Sequence, residues 1–270
     1  MTALFDTHCH LQDPALTGDV AGVVARARAA GVTGMLVCGY DAASNVAALG
    51  LANAEGGLYA AVGFHPHDAS DLTPEALDLL ARQAALPAVF AVGEVGLDFF
   101  RDLSPRDTQR NALDAQLAIA IEVAKPVSVH TRSAEDEIYA HLASYAARTP
   151  LAALGRPVGV MHCFGGSLEQ ARRFVEIGFL VSIACTITYP KNDAARAIAV
   201  ELPLESLVVE TDSPYLPPQT LRGKRNEPAH VRAAAEAIAA VRAVSLDVVA
   251  AATTGNATRM LGLGVAVGAA

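Results

Sequence analysis

The sequence contains no tryptophan, and aromatic residues make up only 5% of its 270 residues. Its core must therefore be built from aliphatic side chains, and 52% of the residues are hydrophobic. Long apolar runs are absent as well. The longest stretch without a charged residue is 177–190, which is shorter than the ~18 residues that a membrane span needs. The N-terminus lacks the basic start and apolar segment of a secretory signal, so we expect a cytoplasmic protein with no membrane association.

Cysteine pairs and an excess of positive charge are also missing. No CxxC motif occurs, and the four cysteines are far apart in the chain: Cys9, Cys38, Cys163 and Cys185. We expect them to be reduced side chains in buried strands rather than disulfides or thiolate ligands. The net charge is −8, whereas a protein that coats a nucleic-acid duplex is usually basic. Any contact with nucleic acid must therefore use a small local patch.

Short apolar runs alternate with helical patterns along the whole chain. The strand candidates are 4–10, 34–40, 58–65, 89–97, 126–132, 158–164, 179–185 and 207–212. Thr73-Pro74 and Ser104-Pro105 each offer an N-cap followed by proline at the first helical position. Two helical stretches, 229–242 and 245–261, follow the last strand. We predict an α/β protein with one domain over 1–270, a (β/α)8 TIM barrel, with a doubly wound open sheet as second choice.

The active site of such a barrel lies at the C-terminal ends of the strands. The chelating residues at those ends of the predicted strands are His8, His10, Glu94, His130, His162 and Asp212. His8 and His10 are two residues apart on one strand, so their side chains point to the same side. Four imidazoles and two carboxylates suit Mn²⁺ or Zn²⁺ more than Mg²⁺, which prefers oxygen. Six donors suffice for two ions if a carboxylate bridges them, and Glu94 is the expected bridge.

Seven segments, in this order, carry a resemblance to a known family: FDTHCH, GFHPH, AVGEVGLDFF, PVSVHTR, MHCFGGS, VVETDSPYL and GKRNEPAHV. From residue 5 to about residue 261 the chain resembles the TatD-type metal-dependent deoxyribonucleases. The resemblance implies two divalent ions bridged by Glu94, one held by His8, His10 and Asp212 and the other by His130 and His162. It also implies that Glu94 and Asp212 are catalytic, with Asp212 orienting the attacking water and taking its proton.

Positive side chains after two of the strands predict contacts with phosphate. Arg132 follows His130 by two residues, and its guanidinium suits bidentate binding of a phosphate. The alternative for Arg132 is a surface ion pair with Glu135. The basic run RGKR follows the last strand, with its charges at Arg222, Lys224 and Arg225. This run could follow a nucleic-acid backbone or, equally, form a solvated loop.

Further polar residues near the strand ends receive supporting roles. His65 is predicted to contact the phosphate or leaving group, with a structural hydrogen-bonding role as the alternative. The proline between His65 and His67 disturbs the strand geometry that would make them a metal-binding pair. Asp6 and Glu210 lie one step below the ligands on their strands, so we expect them to accept hydrogen bonds from ligand N–H groups. Asp98 is assigned only to the rim.

These residues favour a divalent-metal-dependent phosphodiesterase acting on DNA, through a metal-activated hydroxide. An acidic chain with one basic rim suits single-stranded ends, so we expect an exonuclease, and the resemblance implies 3′ to 5′ polarity. DNA repair and DNA degradation both suit this activity. A second hypothesis is an amide or ester hydrolase, for example of aminoacyl esters, on the same site, because a fold does not determine its substrate. A third is a metal-holding scaffold without turnover, against which the intact ligand set argues.

Overall fold

The structure is a computed structural model that describes residues 2–264, and its centre is a parallel sheet. The strands are β1 (Leu4–Cys9), β2 (Val32–Cys38), β3 (Leu58–Val62), β4 (Val89–Asp98), β5 (Val127–Arg132), β6 (Gly159–Met161), β7 (Phe179–Ala184) and β8 (Leu207–Glu210). Every predicted strand is present. β1, β3, β6 and β8 end earlier than predicted, so His10, His65, His162 and Asp212 lie beyond them. Positive φ angles at Cys163 (42°) and Asp212 (56°) turn the backbone out of the extended conformation there.

The strands pair in chain order from β1 to β8, and every pair is parallel. The sheet closes where the ends of β1 and β8 meet. The backbone N–H of His10 donates to Ser213 O (2.7 Å), and that of Asp212 donates to His8 O (2.9 Å). The predicted (β/α)8 barrel is therefore confirmed. This closure brings together residues that are about 200 positions apart in sequence, at the C-terminal end of the barrel.

Helices connect the strands and follow the last one. Within residues 2–264 they are α1 (Val20–Ala29), α2 (Ala42–Ala54), α3 (Pro74–Ala84), α4 (Arg106–Glu122), α5 (Glu135–Arg148), α6 (Leu168–Glu176), α7 (Asp193–Glu201), α8 (Val231–Arg242) and α9 (Leu246–Leu261). The predicted cap at Thr73 is confirmed, since its hydroxyl accepts from Ala76 N. The predicted cap at Ser104 is wrong. That hydroxyl donates to His67 O (2.8 Å), and α4 begins two residues later.

The core is aliphatic, as the composition predicts, and the strands are almost completely buried. Among the aromatic side chains, Tyr145, Phe174 and Phe179 are the largest that are fully buried. All four cysteines are free thiols, which confirms the expectation that they form no disulfides. Burial raises the pKa of each thiol above its usual range. The single domain predicted over 1–270 stays a prediction, because Met1 and residues 265–270 lie outside the described residues.

The mean hydropathy of +0.32 raises the question of whether any helix could cross a membrane. In the described part of the chain, no single helix is long and apolar enough to cross a membrane. Pro228–Arg242 and Leu246–Leu261 meet the length and composition criteria only as a pair, and the pair is bent by 119° at its break.

Candidate metal centre

Glu94, buried on β4, lies at the centre of the predicted ligands. Its Oε2 is 3.3 Å from Nε2 of His8 and 3.6 Å from Nε2 of His10. Its Oε1 is 3.2 Å from Nδ1 of His130 and 3.4 Å from Nε2 of His65. The two oxygens of one carboxylate thus face two different groups of imidazole nitrogens. A ligand that bridges two cations needs this arrangement.

Asp212 and His162 complete the set. Asp212 Oδ1 is 3.5 Å from Nε2 of His10 and 3.8 Å from Nε2 of His162. The His162 ring stacks on His8 with 3.5 Å between the ring centroids. Three groups have all their ligand atoms within 4.8 Å of one another: His8, Glu94 and His162; His8, His10 and Asp212; and His65, Glu94 and His130. The barrel therefore brings all six predicted ligands together, and His65 lies with them.

The outer nitrogen of each predicted histidine ligand has a partner of its own. The contacts are His8 Nδ1 to Ser128 Oγ (3.2 Å), His10 Nδ1 to Cys38 O (2.8 Å), His130 Nε2 to Asp98 Oδ2 (3.2 Å) and His162 Nδ1 to Glu210 Oε1 (2.9 Å). A neutral imidazole has one N–H and one lone pair. When the outer nitrogen donates to these oxygens, the inner nitrogen is left free to bind a cation.

His65 is oriented in the opposite way. Its Nδ1 accepts a hydrogen bond from the backbone N–H of His67 (3.1 Å). Burial lowers the pKa of His65 to about 3, so the ring is neutral and carries its proton on Nε2. That N–H points toward Glu94 Oε1 and has no lone pair to offer an ion. The orientation favours the predicted contact with substrate over metal ligation.

Asp98 is the residue that the sequence analysis undervalued. Its Oδ2 accepts from Nε2 of His67 (2.9 Å) and from Nε2 of His130 (3.2 Å). Its Oδ1 accepts the backbone N–H groups of Phe100 (2.9 Å) and Arg101 (2.8 Å). Burial opposes ionisation, but these hydrogen bonds outweigh it and hold the pKa of Asp98 below its usual range. Its spacing from Glu94 on β4 was the available signal, since alternate strand residues share a face.

Glu210 and Asp6, which lie one step below the ligands on their strands, make different contacts. Glu210 lies where its prediction requires, because Oε1 is 2.9 Å from Nδ1 of His162 and also accepts the backbone N–H of Cys163 (2.7 Å). Asp6 accepts the backbone N–H of His8 (3.4 Å), but the prediction that it supports a ligand ring is wrong. Its carboxylate accepts from Thr211 N (2.9 Å) and Thr211 Oγ (2.6 Å), across the junction between β1 and β8. A short side chain below His8 reaches that junction rather than a ligand ring.

The charges of the centre fit divalent cations. In residues 2–264 the ion-pair partners of Glu94 and Asp212 are all histidines, with no lysine or arginine among them. Burial opposes ionisation of Asp212, but a hydrogen bond from His10 and the charge of His162 keep its pKa below the usual range. Glu210 raises the pKa of His162 to about 10 despite burial. Buried carboxylates need compensating charge, which protons supply without metal and cations can replace.

Comparison with known proteins identifies the family. The model of the TatD-related DNase family matches residues 5–262. The chain belongs to this family. It is 37% identical to the uncharacterized metal-dependent hydrolase YabD of Bacillus subtilis, over 95% of this chain and 98% of that protein. It is 34% identical to the 3′-5′ ssDNA/RNA exonuclease TatD of Klebsiella pneumoniae, over 97% of this chain and 99% of that protein. The expectation of a metal-dependent hydrolase of ester bonds is confirmed at the level of the family.

A solved structure supports the same assignment. The crystal structure of YJJV, a TatD homolog from Escherichia coli K12, matches with a TM-score of 0.89 and 34% identity. The match covers 96% of this chain and 98% of that one. The two chains thus share the barrel fold over the matched residues.

A cleft of about 840 Å³ opens above the metal centre of this TatD-family chain. Arg101 and Arg132 both line it. β5 continues to Arg132, as the prediction requires, and the guanidinium lies 3.8 Å from the centroid of the Phe100 ring. Within the described residues, Arg132 forms no ion pair with Glu135, which was its alternative role. Arg101 has no counterpart in the sequence analysis, because nothing marks it apart from other surface arginines.

The basic run after β8 lies elsewhere. Arg222 is near the ring of Tyr189, with 5.0 Å to its centroid, and Arg225 pairs with Glu227 (2.6 Å). Neither these arginines nor Lys224 is among the residues that line the cleft. Their predicted contact with a nucleic-acid backbone stays a prediction.

Gly96 permits the close approach of β4 and β5 beside His130. A Cβ at Gly96 would lie 1.8 Å from His130 O, and the φ of +152° disfavours other residues. We expect Gly96→Ala to lower stability by about 1–3 kcal/mol, as for other overpacked sites, and to weaken Mn²⁺ binding by moving His130. Thermal unfolding with and without Mn²⁺ measures both effects. Gly50→Ala is the matched control, since a Cβ there meets nothing within 4 Å. Wild-type behaviour of Gly96→Ala would refute this role.

Proposed function

We propose that the protein is a divalent-metal-dependent nuclease that hydrolyses phosphodiester bonds at the 3′ ends of single-stranded nucleic acid. One observation carries the proposal: the two oxygens of Glu94 face separate groups of buried donors beneath an open cleft. Two arginines at the cleft match a polyanionic substrate. The relative from Klebsiella pneumoniae, named as a 3′-5′ ssDNA/RNA exonuclease, supports the substrate class and the polarity.

The donors would hold two divalent ions, with Mn²⁺, Mg²⁺ and Zn²⁺ as the candidates. One ion would be held by His8, His10 and Asp212, the other by His130 and His162, with Glu94 shared between them. Bound there, the pair would acidify a water molecule and neutralise charge on the scissile phosphate.

Three side chains of the cleft would act on the substrate directly. Asp212 Oδ2 accepts no hydrogen bond from any described residue, so it is free to orient the attacking water and take its proton. His65 would donate its Nε2–H, whose nitrogen lies 3.4 Å from Glu94 Oε1, to a phosphate oxygen or to the leaving group. Arg132 can bind a phosphate through two parallel hydrogen bonds.

The charges around the cleft favour a short segment of strand. Asp68 and Glu135 line the cleft together with the two arginines, and the net charge of the chain is −8. A long duplex would bring many phosphates against this acidic surface, whereas a single-stranded end brings few. We therefore favour exonuclease action.

The direct test uses single-stranded DNA and RNA labelled at the 5′ end, with each ion added to metal-free protein. We expect a ladder that shortens from the 3′ end. Circular single-stranded DNA of the same sequence is the matched control, because an exonuclease cannot cut it. Cleavage of the circle would contradict exonuclease action, and no cleavage with any ion would favour the scaffold hypothesis.

A hydrolase of amide or ester bonds on the same site is the second candidate, and Arg132→Ala separates the two. Loss of a charged hydrogen-bonding partner costs about 1.5–3 kcal/mol, so we expect kcat/KM for DNA to fall roughly 10- to 150-fold. Hydrolysis of a neutral aminoacyl ester should be unchanged, because it offers no phosphate. Arg132→Lys is the control that retains charge without bidentate geometry. An equal effect on both substrates would count against phosphate recognition by Arg132.

A further inference from the structure

The loop between β4 and α4 exposes apolar surface beside the cleft. Phe100 and Leu103 are each 63% exposed. Seven of the eight phenylalanines in the chain are buried or half-buried, and Phe100 is the exception. Exposure of a single ring is common on protein surfaces, so its surroundings decide whether it carries meaning.

The Phe100 ring has a guanidinium group on its face and a second arginine next to it in sequence. The guanidinium of Arg132 covers the ring at 3.8 Å from its centroid, which is a cation–π contact. Arg101 is the next residue, and both arginines line the cleft above the metal centre. The exposed ring therefore packs against one arginine of the cleft and is followed in sequence by a second, although Phe100 itself is not among the residues that line the cleft.

Asp98 fixes this loop relative to the metal centre. One carboxylate oxygen accepts the backbone N–H groups of Phe100 and Arg101. The other contacts Nε2 of His130. A ligand that binds on the loop is thus held at a defined distance from His130, which a flexible surface ring could not achieve.

We propose that Phe100 and Arg132 form a stacking platform for one base of a single-stranded nucleic acid, with Arg101 and Arg132 binding its phosphates. The inference rests on the proposed function and names the residues that select single strands. Base faces are free in a single strand and hidden in a duplex, and stacking on an aromatic ring tolerates any base. A purely apolar ligand would leave both guanidinium groups unpaired, whereas a nucleotide supplies a ring and a negative charge.

The test measures binding apart from turnover. Fluorescence anisotropy of labelled oligothymidylate, with Mn²⁺ and the Asp212→Asn background to prevent cleavage, gives Kd for each platform variant. We expect Phe100→Ala to weaken binding about 10-fold, within the range for loss of one stacked base. Phe100→Leu should weaken it similarly, since it retains apolar bulk but lacks the ring. Leu154→Ala, at a side chain 64% exposed in the connection between α5 and β6 rather than in the β4–α4 loop, should bind as the background does.

An abasic scan of the oligonucleotide locates the stacked base. In the background protein, removal of one particular base should weaken binding, and Phe100→Ala should be insensitive at that position. Unchanged affinity of Phe100→Ala, or full binding by Phe100→Leu, would overturn the platform while leaving the nuclease intact. Failure of the wild-type protein to bind or cut any single strand would instead overturn the proposed function, and the platform with it.

Discussion

Glu94→Gln is expected to reduce nucleic-acid hydrolysis by about 10³-fold, since it should cost the charge stabilisation supplied by one ion. The amide has nearly the same shape, but it is neutral and has only one oxygen. Its NH₂ group must face either the His8 and His10 side or the His130 side, so one group of donors loses its shared ligand. Loss of one ion removes several kcal/mol of charge stabilisation in the transition state.

Metal binding separates this explanation from a folding defect. Calorimetric titration with Mn²⁺ should give fewer than two ions per chain for Glu94→Gln. Glu135→Gln is the matched control, because Glu135 lines the cleft without contacting the predicted ligands. It should retain both ions and most of the activity. If Glu94→Gln bound two ions with wild-type affinity, Glu94 would not be the bridge.

Asp212→Asn is expected to lower kcat by about 10²–10⁴-fold, the range for loss of a general base. The side-chain oxygen of asparagine can still occupy the place of Oδ1 near His10, so the fold should be preserved. The amide cannot take a proton from water. KM should change little, because Asp212 has no direct contact with the parts of the substrate that bind to Arg132.

Steady-state kinetics and thermal unfolding of the same preparation test this expectation. Asp68→Asn is the control, because Asp68 lines the cleft but is not one of the grouped donors. It should retain activity within a few-fold. A kcat of Asp212→Asn close to that of wild type, with metal bound, would exclude Asp212 as the base.

The positions of the ligands followed from the sequence because strand ends are a local property. His8 is on β1 and His10 directly follows its last residue, Cys9, and the parallel barrel brings all C-terminal strand ends to one rim. The proximity of Glu94 to these histidines could therefore be predicted once the barrel fold was predicted correctly. His10, His162 and Asp212 lie just beyond their strands, and the closure of the barrel still brings them to the rim.

The hydrogen-bond partners could not be predicted in the same way. Asp98 joins His67, His130 and the Phe100 loop, and these contacts depend on how neighbouring strands and loops close over one another. The proton position on His65 depends on one backbone N–H two residues away. A basic run carries no information about the path of its loop, so the sequence could not indicate that Arg225 pairs with Glu227.

Anomalous diffraction from crystals grown with Mn²⁺ tests the central claim most directly. We expect two anomalous peaks, roughly 3.5–4 Å apart, one on each side of the Glu94 carboxylate. Asp212 should contact one ion, and His65 should contact neither. A single peak, or a pair of peaks remote from Glu94, would contradict the account.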